Sequence, residues 1–185
     1  MKIEAMEYTA KNGETVIMRS GEKTDGEQLR KLAWQAYGET RFLSKEQDEF
    51  TLTAEQETAW IMRMLHEPRA VLLMAELNGE VVGDAMMHPI AESSRQRHRC
   101  QAGITVLEPH WGKGIGKGLF ALLIAVAKEA GYTQMELEVV ADNERAVALY
   151  KKLGFVEYGR RPNSFHYRDG SYADMLLMVL DLCNH

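Results

Sequence analysis

Four glycines alternate through the eight residues Trp111-Gly112-Lys113-Gly114-Ile115-Gly116-Lys117-Gly118. Gln101 to Leu107, just before them, reads as a strand. Lys117 to Ala130 reads as a helix, with Leu119, Leu122, Leu123 and Val126 on one face and Gly131 closing it. A glycine-rich turn from strand into helix is where backbone N–H groups and the helix dipole can hold an anion. Glycine matters there because a side chain would block close approach of phosphates and resist positive φ. Lys113 and Lys117 add positive charge at the same point. Two nucleotide-binding patterns fail on the letters. The Walker pattern needs Gly-Lys followed by Ser or Thr, and both lysines here are followed by Gly. The dinucleotide fingerprint needs G-x-G-x-x-G, and this turn offers G-x-G-x-G. Taken alone, the turn could also be a tight connection that holds no ligand.

The flanking segments predict a mixed α/β (α+β) sheet. A first strand ends near Val16-Ile17-Met18. Thr24-Asp25-Gly26-Glu27 then reads as a capping box for a helix bearing Leu29, Leu32, Ala33 and Ala36, with Gly38 as its stop. A charged connection runs from Glu39 to Leu52. A second capping box, Thr53-Ala54-Glu55-Gln56, opens a helix whose buried stripe is Trp60, Ile61, Met64 and Leu65, and Pro68 ends it. Asn78-Gly79 between apolar runs is a hairpin turn. Thr133 to Val140 alternates, with Met135, Leu137 and Val139 opposite Gln134, Glu136 and Glu138, which predicts a half-buried strand. Asn143 to Leu153 reads as a short helix stopped by Gly154, and Phe155–Gly159 and Tyr172–Leu180 as the last strands. No repeat or flexible linker interrupts the chain, so residues 1–185 are expected to form a single domain.

Composition narrows the partners. A net charge of −5 argues against general nucleic-acid binding and slightly favours a cationic substrate. No apolar run approaches the roughly 18–20 residues of a membrane span, and the charged start of the chain does not read as a secretion signal. Cys100 and Cys183 fit neither metal nor redox spacing, so no metal is expected and both are read as reduced thiols of a cytoplasmic protein. Met62, Met64, Met74, Met135, Met175 and Met178 sit in periodic apolar segments and are assigned to the core.

The second constellation is Asn143-Glu144-Arg145-Ala146-Val147-Ala148-Leu149-Tyr150-Lys151-Lys152-Leu153-Gly154-Phe155. At about 100° per residue, Asn143 and Tyr150 share a helix face, with the small Ala146 between them. Tyr150 on its own could be an ordinary amphipathic core residue. The glycine turn, helix, alternating strand and then N-x-x-A-x-x-L-Y-x-x-x-G-F together resemble the GCN5-related N-acetyltransferase (GNAT) superfamily. The resemblance covers Arg97 to Leu180, and in the first third of the chain it extends only to the element order β-α-α-β-β. It implies a mixed, mostly antiparallel central sheet with helices on both faces. One departure is Trp111, which stands where the family usually has Gln or Arg. That leaves pyrophosphate binding to main-chain N–H groups and the usual side-chain contact without an owner.

By that resemblance the co-substrate is acetyl-CoA and the acceptor a primary amine, on a small molecule or a peptide. Thr105, Val106 and Leu107 would flank the pantetheine arm, and the thioester would pass between two splayed strands. Gly112, Lys113, Gly114, Ile115, Gly116 and Lys117 would meet the pyrophosphate, and Asn143 and Ala146 the pantetheine. Tyr150 would protonate the departing sulfur, a role suited to a phenol with pKa near ~10. A main-chain N–H near Val106 would serve the oxyanion. For the base that deprotonates the amine, His98, Glu108, His110, Glu136 and Glu138 all stay open. Cys100 is expected to be a buried thiol and not an acyl carrier. The aromatics Phe42, Phe50, Phe165 and Tyr167 could line a substrate pocket or seal the core edge. Arg95, Arg97 and Arg99 form a local basic stripe, read as a solvated loop. A non-catalytic acyl-CoA-binding module of the same fold and a protein-interaction module using the hairpin edge are the alternative readings. A homodimer is compatible with such a fold.

Overall fold

A computed structural model describes residues 1–183. In chain order the elements are β1 (Met6–Thr9), β2 (Thr15–Ser20), α1 (Gly26–Glu39), α2 (Ala54–His66), β3 (Val71–Leu77), β4 (Glu80–Pro89), β5 (Arg99–Val106), α3 (Ile115–Glu129), β6 (Gln134–Val140), α4 (Glu144–Lys152), β7 (Val156–His166) and β8 (Tyr172–Asp181). The sheet runs β1-β2-β3-β4-β5-β6-β8-β7. Its neighbours are antiparallel except for the parallel pair β5/β6. The α1/α2 layer covers one face, where Leu29, Leu32, Ile61 and Met64 pack on Leu72, Met74 and Val81. Helix α3, through Leu119, Phe120, Leu123 and Val126, covers the other face with Tyr150 of α4. Among the described residues no helix is long and apolar enough to cross a membrane.

Local chemistry accounts for most of the element ends. Asn78 and Gly79 have φ of 53° and 85°, the left-handed pair that a two-residue hairpin requires. Thr53 caps α2 as expected: its Oγ1 accepts Gln56 N–H at 3.3 Å, and Gln56 Oε1 accepts Thr53 N–H at 2.9 Å. The first capping box is shifted. Glu22 and Asp25 form it, ahead of α1, instead of Thr24 and Glu27. The shift has a long-range cause, since the Asp25 carboxylate also clamps Arg19 at 2.6 and 2.9 Å, and Arg19 reaches Glu76 as well. Gly38 is not a stop but lies inside α1. A Cβ there would sit 2.5 Å from Gln47 Nε2, so glycine admits the close passage of the following loop.

Strand β6 departs from the predicted alternation. Glu136 is 6% exposed and therefore buried, although it lies on the face read as solvated. Burial works to raise its carboxyl, but the Arg99 guanidinium, 2.9 Å from Oε2, overcomes this and holds it below the usual carboxylate range. Arg99 is thereby removed from the basic stripe. The short strand β1 was not anticipated. It is exposed, lies at the sheet edge and shows no alternation. Met64, Met74, Met135, Met175 and Met178 are buried as expected, and Met62 is half-buried.

Candidate active site

The parallel pairing that joins the two halves of the sheet is short. Strands β5 and β6 pair only over Arg99–Gln101 and Gln134–Glu136. Beyond these residues they separate, while β5 continues to Val106 and β6 to Val140. Leu107 N–H donates to Val82 O at 3.0 Å. Alternation along an antiparallel strand therefore turns the N–H groups of Ile104 and Val106 away from β4 and into the gap. The gap is the middle of a cleft of about 740 Å³, walled by residues 102–106 and 138–140. Thr105 and Val106 both line it. Leu107 does not, because its N–H is committed to the sheet and its side chain is buried under α1 and α2.

The glycine turn forms one end of the cleft through Gly112, Gly114, Ile115, Gly116 and Lys117. Gly112 and Gly114 have φ of 75° and 87°. Gly114 is the N-cap of α3, and no side chain caps that helix. Its first-turn N–H groups, with the positive end of the helix dipole, are thus left for an anion. The hairpin of β1 and β2 backs the turn from behind: the Tyr8 hydroxyl donates to Gly114 O at 3.0 Å and Lys11 N–H to Lys113 O at 2.8 Å. The Lys113 side chain turns outward and pairs with Glu14 at 3.2 Å, so only Lys117 of the two predicted lysines reaches the cleft.

Helix α4 forms the adjoining wall. Asn143 Oδ1 accepts Ala146 N–H at 3.2 Å and so starts the helix, which leaves the amide group of that side chain for a ligand. Ala146 lines the cleft one turn later and Tyr150 lies beyond it. The Tyr150 ring is held edge-on by Phe120 and Phe155, with centroids 5.1 and 5.8 Å away. Among the described residues its hydroxyl has no hydrogen-bond partner, and burial pushes the phenol well above its ordinary pKa. It therefore stays protonated. The Trp111 position is resolved by a pair of contacts. Its indole N–H donates to Val106 O, and the Arg145 guanidinium lies 3.3 Å above the ring centroid. A cation missing from position 111 is thus carried to the same end of the cleft by α4.

At the opposite end, under α1 and α2, the cleft is lined by Tyr37, Thr40, Phe42, Trp60, Asp84 and Met86. Asp84 pairs with Met74 and Thr105 across the sheet. Burial pushes its carboxyl up to about 7; a hydrogen bond from the Thr105 side chain pulls the other way, and the charge of Glu57 adds to the rise. Glu57 on α2 is 6% exposed. It is also raised by burial, with only the charge of Lys45 opposing. This acid pair was not anticipated. The one available signal was a lone charged residue inside the apolar run Val81-Val82-Gly83-Asp84-Ala85-Met86-Met87.

The base candidates named from sequence scatter. Glu136 is bound to Arg99, and His98 and Glu108 lie outside the cleft lining. Glu138 lines the cleft but is gripped by Arg161 at 2.8 and 3.1 Å. His110 also lines it, with a buried Nδ1 that has no partner among the described residues, and burial followed by the Lys113 charge lowers its pKa. Cys100 is buried and its thiol pushed up to about 12, so a thiolate is not accessible. Phe42 reaches the cleft, whereas Phe50 stacks behind Tyr37, and Phe165 and Tyr167 pack against Val140, Ala173 and Met175.

A protein-family model described as the Acetyltransferase (GNAT) family matches residues 27–155. An L-amino acid N-acyltransferase from Escherichia coli (strain K12) is 29% identical over 136 residues, covering 71% of this chain and 76% of that protein. The crystal structure of an acetyltransferase of the GNAT family from Streptococcus pneumoniae superposes with a TM-score of 0.85 at 27% identity, covering 90% of this chain and 99% of that one. A Salmonella typhimurium structure containing its cofactor acetyl-CoA superposes with a TM-score of 0.80 at 24% identity, covering 92% and 95%.

Proposed function

The chain belongs to the acetyltransferase (GNAT) family, and from that premise we propose that it transfers the acetyl group of acetyl-CoA to a primary amine by direct attack while both substrates are bound. Residues 1–185 act as one domain carrying both halves of the site. Three features fit acetyl-CoA: the uncapped N-terminus of α3 for the pyrophosphate, the N–H groups of Ile104 and Val106, which face the gap beyond the β5/β6 pairing, for the pantetheine arm, and the Tyr150 hydroxyl for the sulfur. When bound, the co-substrate supplies an activated acyl group on a thiolate leaving group.

The protein's own groups then have separate duties. Asp84 takes the proton from the incoming ammonium, and its pKa of about 7 suits a base working near neutrality. The Val106 N–H stands where it can stabilise the oxyanion as the carbon–nitrogen bond forms. Tyr150 gives its proton to the sulfur as the carbon–sulfur bond breaks, and recovers one from solvent. Cys100 takes no part.

The observation that carries this reading is a single cleft containing an uncapped glycine turn, the β5 backbone facing the gap, and the hydroxyl of a buried tyrosine that has no hydrogen-bond partner among the described residues. Likeness to an L-amino acid N-acyltransferase makes free amino acids the reference acceptors against which others are measured. The test is acetyl-CoA consumption across amines, amino acids, aminoglycosides and N-terminal peptides, with products identified by mass spectrometry. Tyr150→Phe should lower kcat by about two orders of magnitude, with little change in acetyl-CoA affinity. Undiminished kcat across the pH range would remove Tyr150 from the acid role.

A further inference from the structure

The two ends of the cleft carry opposite charge. Lys11, Lys117, Arg145, Lys152 and His110 line it, and each comes from the β1–β2 hairpin, the glycine turn and its flanks, or α4, which is the half assigned to the phosphates. Around Tyr37, Phe42, Trp60, Asp84 and Met86 no lining residue is lysine or arginine. Arginines near that end are already engaged: Arg161 by Glu138, Arg168 by Asp48, and Arg41 over the Tyr167 ring at 3.8 Å. Lys45 offsets part of the Glu57 charge but is itself exposed, outside the lining. Glu57 has no hydrogen-bond partner for its carboxylate among the described residues, and Glu39 adds a further acid to the cleft wall.

This arrangement discriminates among amines. An aliphatic amine arrives as an ammonium ion, since its pKa is near ~10. It meets Asp84, the field of Glu57 behind it, and a wall that includes the aromatic residues Tyr37, Phe42 and Trp60, a setting that favours a cation. A free amino acid brings a carboxylate two bonds away from the reacting nitrogen. That group would be desolvated beside two acids with no guanidinium or ammonium to receive it. Resting on the transferase reading above, we infer that the acceptor is a primary amine with no carboxylate beside it, on an apolar or aromatic body, and not a free amino acid.

Matched pairs isolate the carboxylate: phenethylamine, L-phenylalaninamide and L-phenylalanine, and the corresponding three compounds of methionine. Acetylation kinetics are measured with acetyl-CoA, and equilibrium binding with coenzyme A present. The amine and the amide should each exceed the amino acid in kcat/KM by on the order of tenfold or more, the expected sign for unlike against like charge. Glu57→Gln, which leaves Asp84 in place, should narrow that ratio several-fold. An amino acid used as well as its amide overturns the inference, and so does a ratio that Glu57→Gln leaves unchanged. Preferential binding of the amines without acetylation would support the inference while removing the transferase reading. Failure of every compound both to bind and to react would overturn both.

Discussion

Replacing Asp84 by Asn separates what this carboxylate does for catalysis from what it costs the fold. Its pKa stands at about 7 in the folded chain against an ordinary 3.8. Between those values the unfolded chain has released the proton and the folded chain still holds it. Stability therefore falls as pH rises, by about 1.4 kcal/mol per pH unit. The penalty is absent below about pH 4, complete above about pH 7, and sums to about 4 kcal/mol over the three units. Asparagine has no proton to lose. The stability of Asp84→Asn relative to the parent should thus climb by about 4 kcal/mol from pH 4 to pH 8, whatever constant cost the amide introduces. Glu57 titrates in both proteins and largely cancels. Urea unfolding at a series of pH values reads the difference directly. In the same variant, kcat/KM should lose the limb that rises through about pH 7 in the parent. A stability difference that stays flat with pH would mean Asp84 ionises like an exposed carboxylate, and the argument for it as a tuned base would fail.

Gly114→Val should abolish acetyl-CoA binding while leaving the fold in place. The residue has φ of 87°, and a Cβ would stand 3.3 Å from Lys11 and from the Tyr8 hydroxyl; about 1–2 kcal/mol of strain goes into the turn that presents the N–H groups. Isothermal titration with a melting curve distinguishes this from unfolding, and normal binding by a folded variant would show the pyrophosphate misplaced. Arg145→Ala removes the cation stacked on Trp111, and should raise KM for acetyl-CoA roughly tenfold with kcat little changed, the value of one charge-assisted phosphate contact. An unaltered KM would return the phosphates to main-chain N–H groups alone.

What was legible in the sequence follows from how locally each feature is determined. Asn78-Gly79 and the Thr53–Gln56 box depend on neighbours two or three residues away, and both formed as read. The shifted box at Glu22–Asp25 depends on Arg19 and, through it, on Glu76 of a strand more than fifty residues on. No local pattern contains that information. Likewise Glu136 alternates with apolar neighbours as a solvent-facing residue would. Only pairing with β5, which brings Arg99 alongside it, makes its burial tolerable.

The same contrast divides the active site. Its co-substrate half is built from one turn and one helix, so the spacing Gly112-x-Gly114-x-Gly116 and the seven-residue step from Asn143 to Tyr150 survive as strings. Within that half, the string did not show that Lys113 and Leu107 lie outside the cleft lining, because a strand partner and a distant glutamate decide where those residues point. The acceptor half has no string. Tyr37, Glu57, Asp84 and Thr105 lie on two helices and two strands, and the sheet register that sets Asp84 against Thr105 is what assembles them. A carboxylate titrates near neutrality only when it is poorly solvated or crowded by like charge, so a carboxylate base has to sit among apolar or acidic neighbours. In the sequence such a residue looks like an error in a hydrophobic strand. Asp84 between Gly83 and Ala85 is that kind of exception, a half-buried acid with nothing in its own segment to offset its charge. An acid inside the apolar run of a central strand, lining the same cleft as an uncapped glycine turn, is therefore a better guide to a candidate base than the acids and histidines flanking the motif.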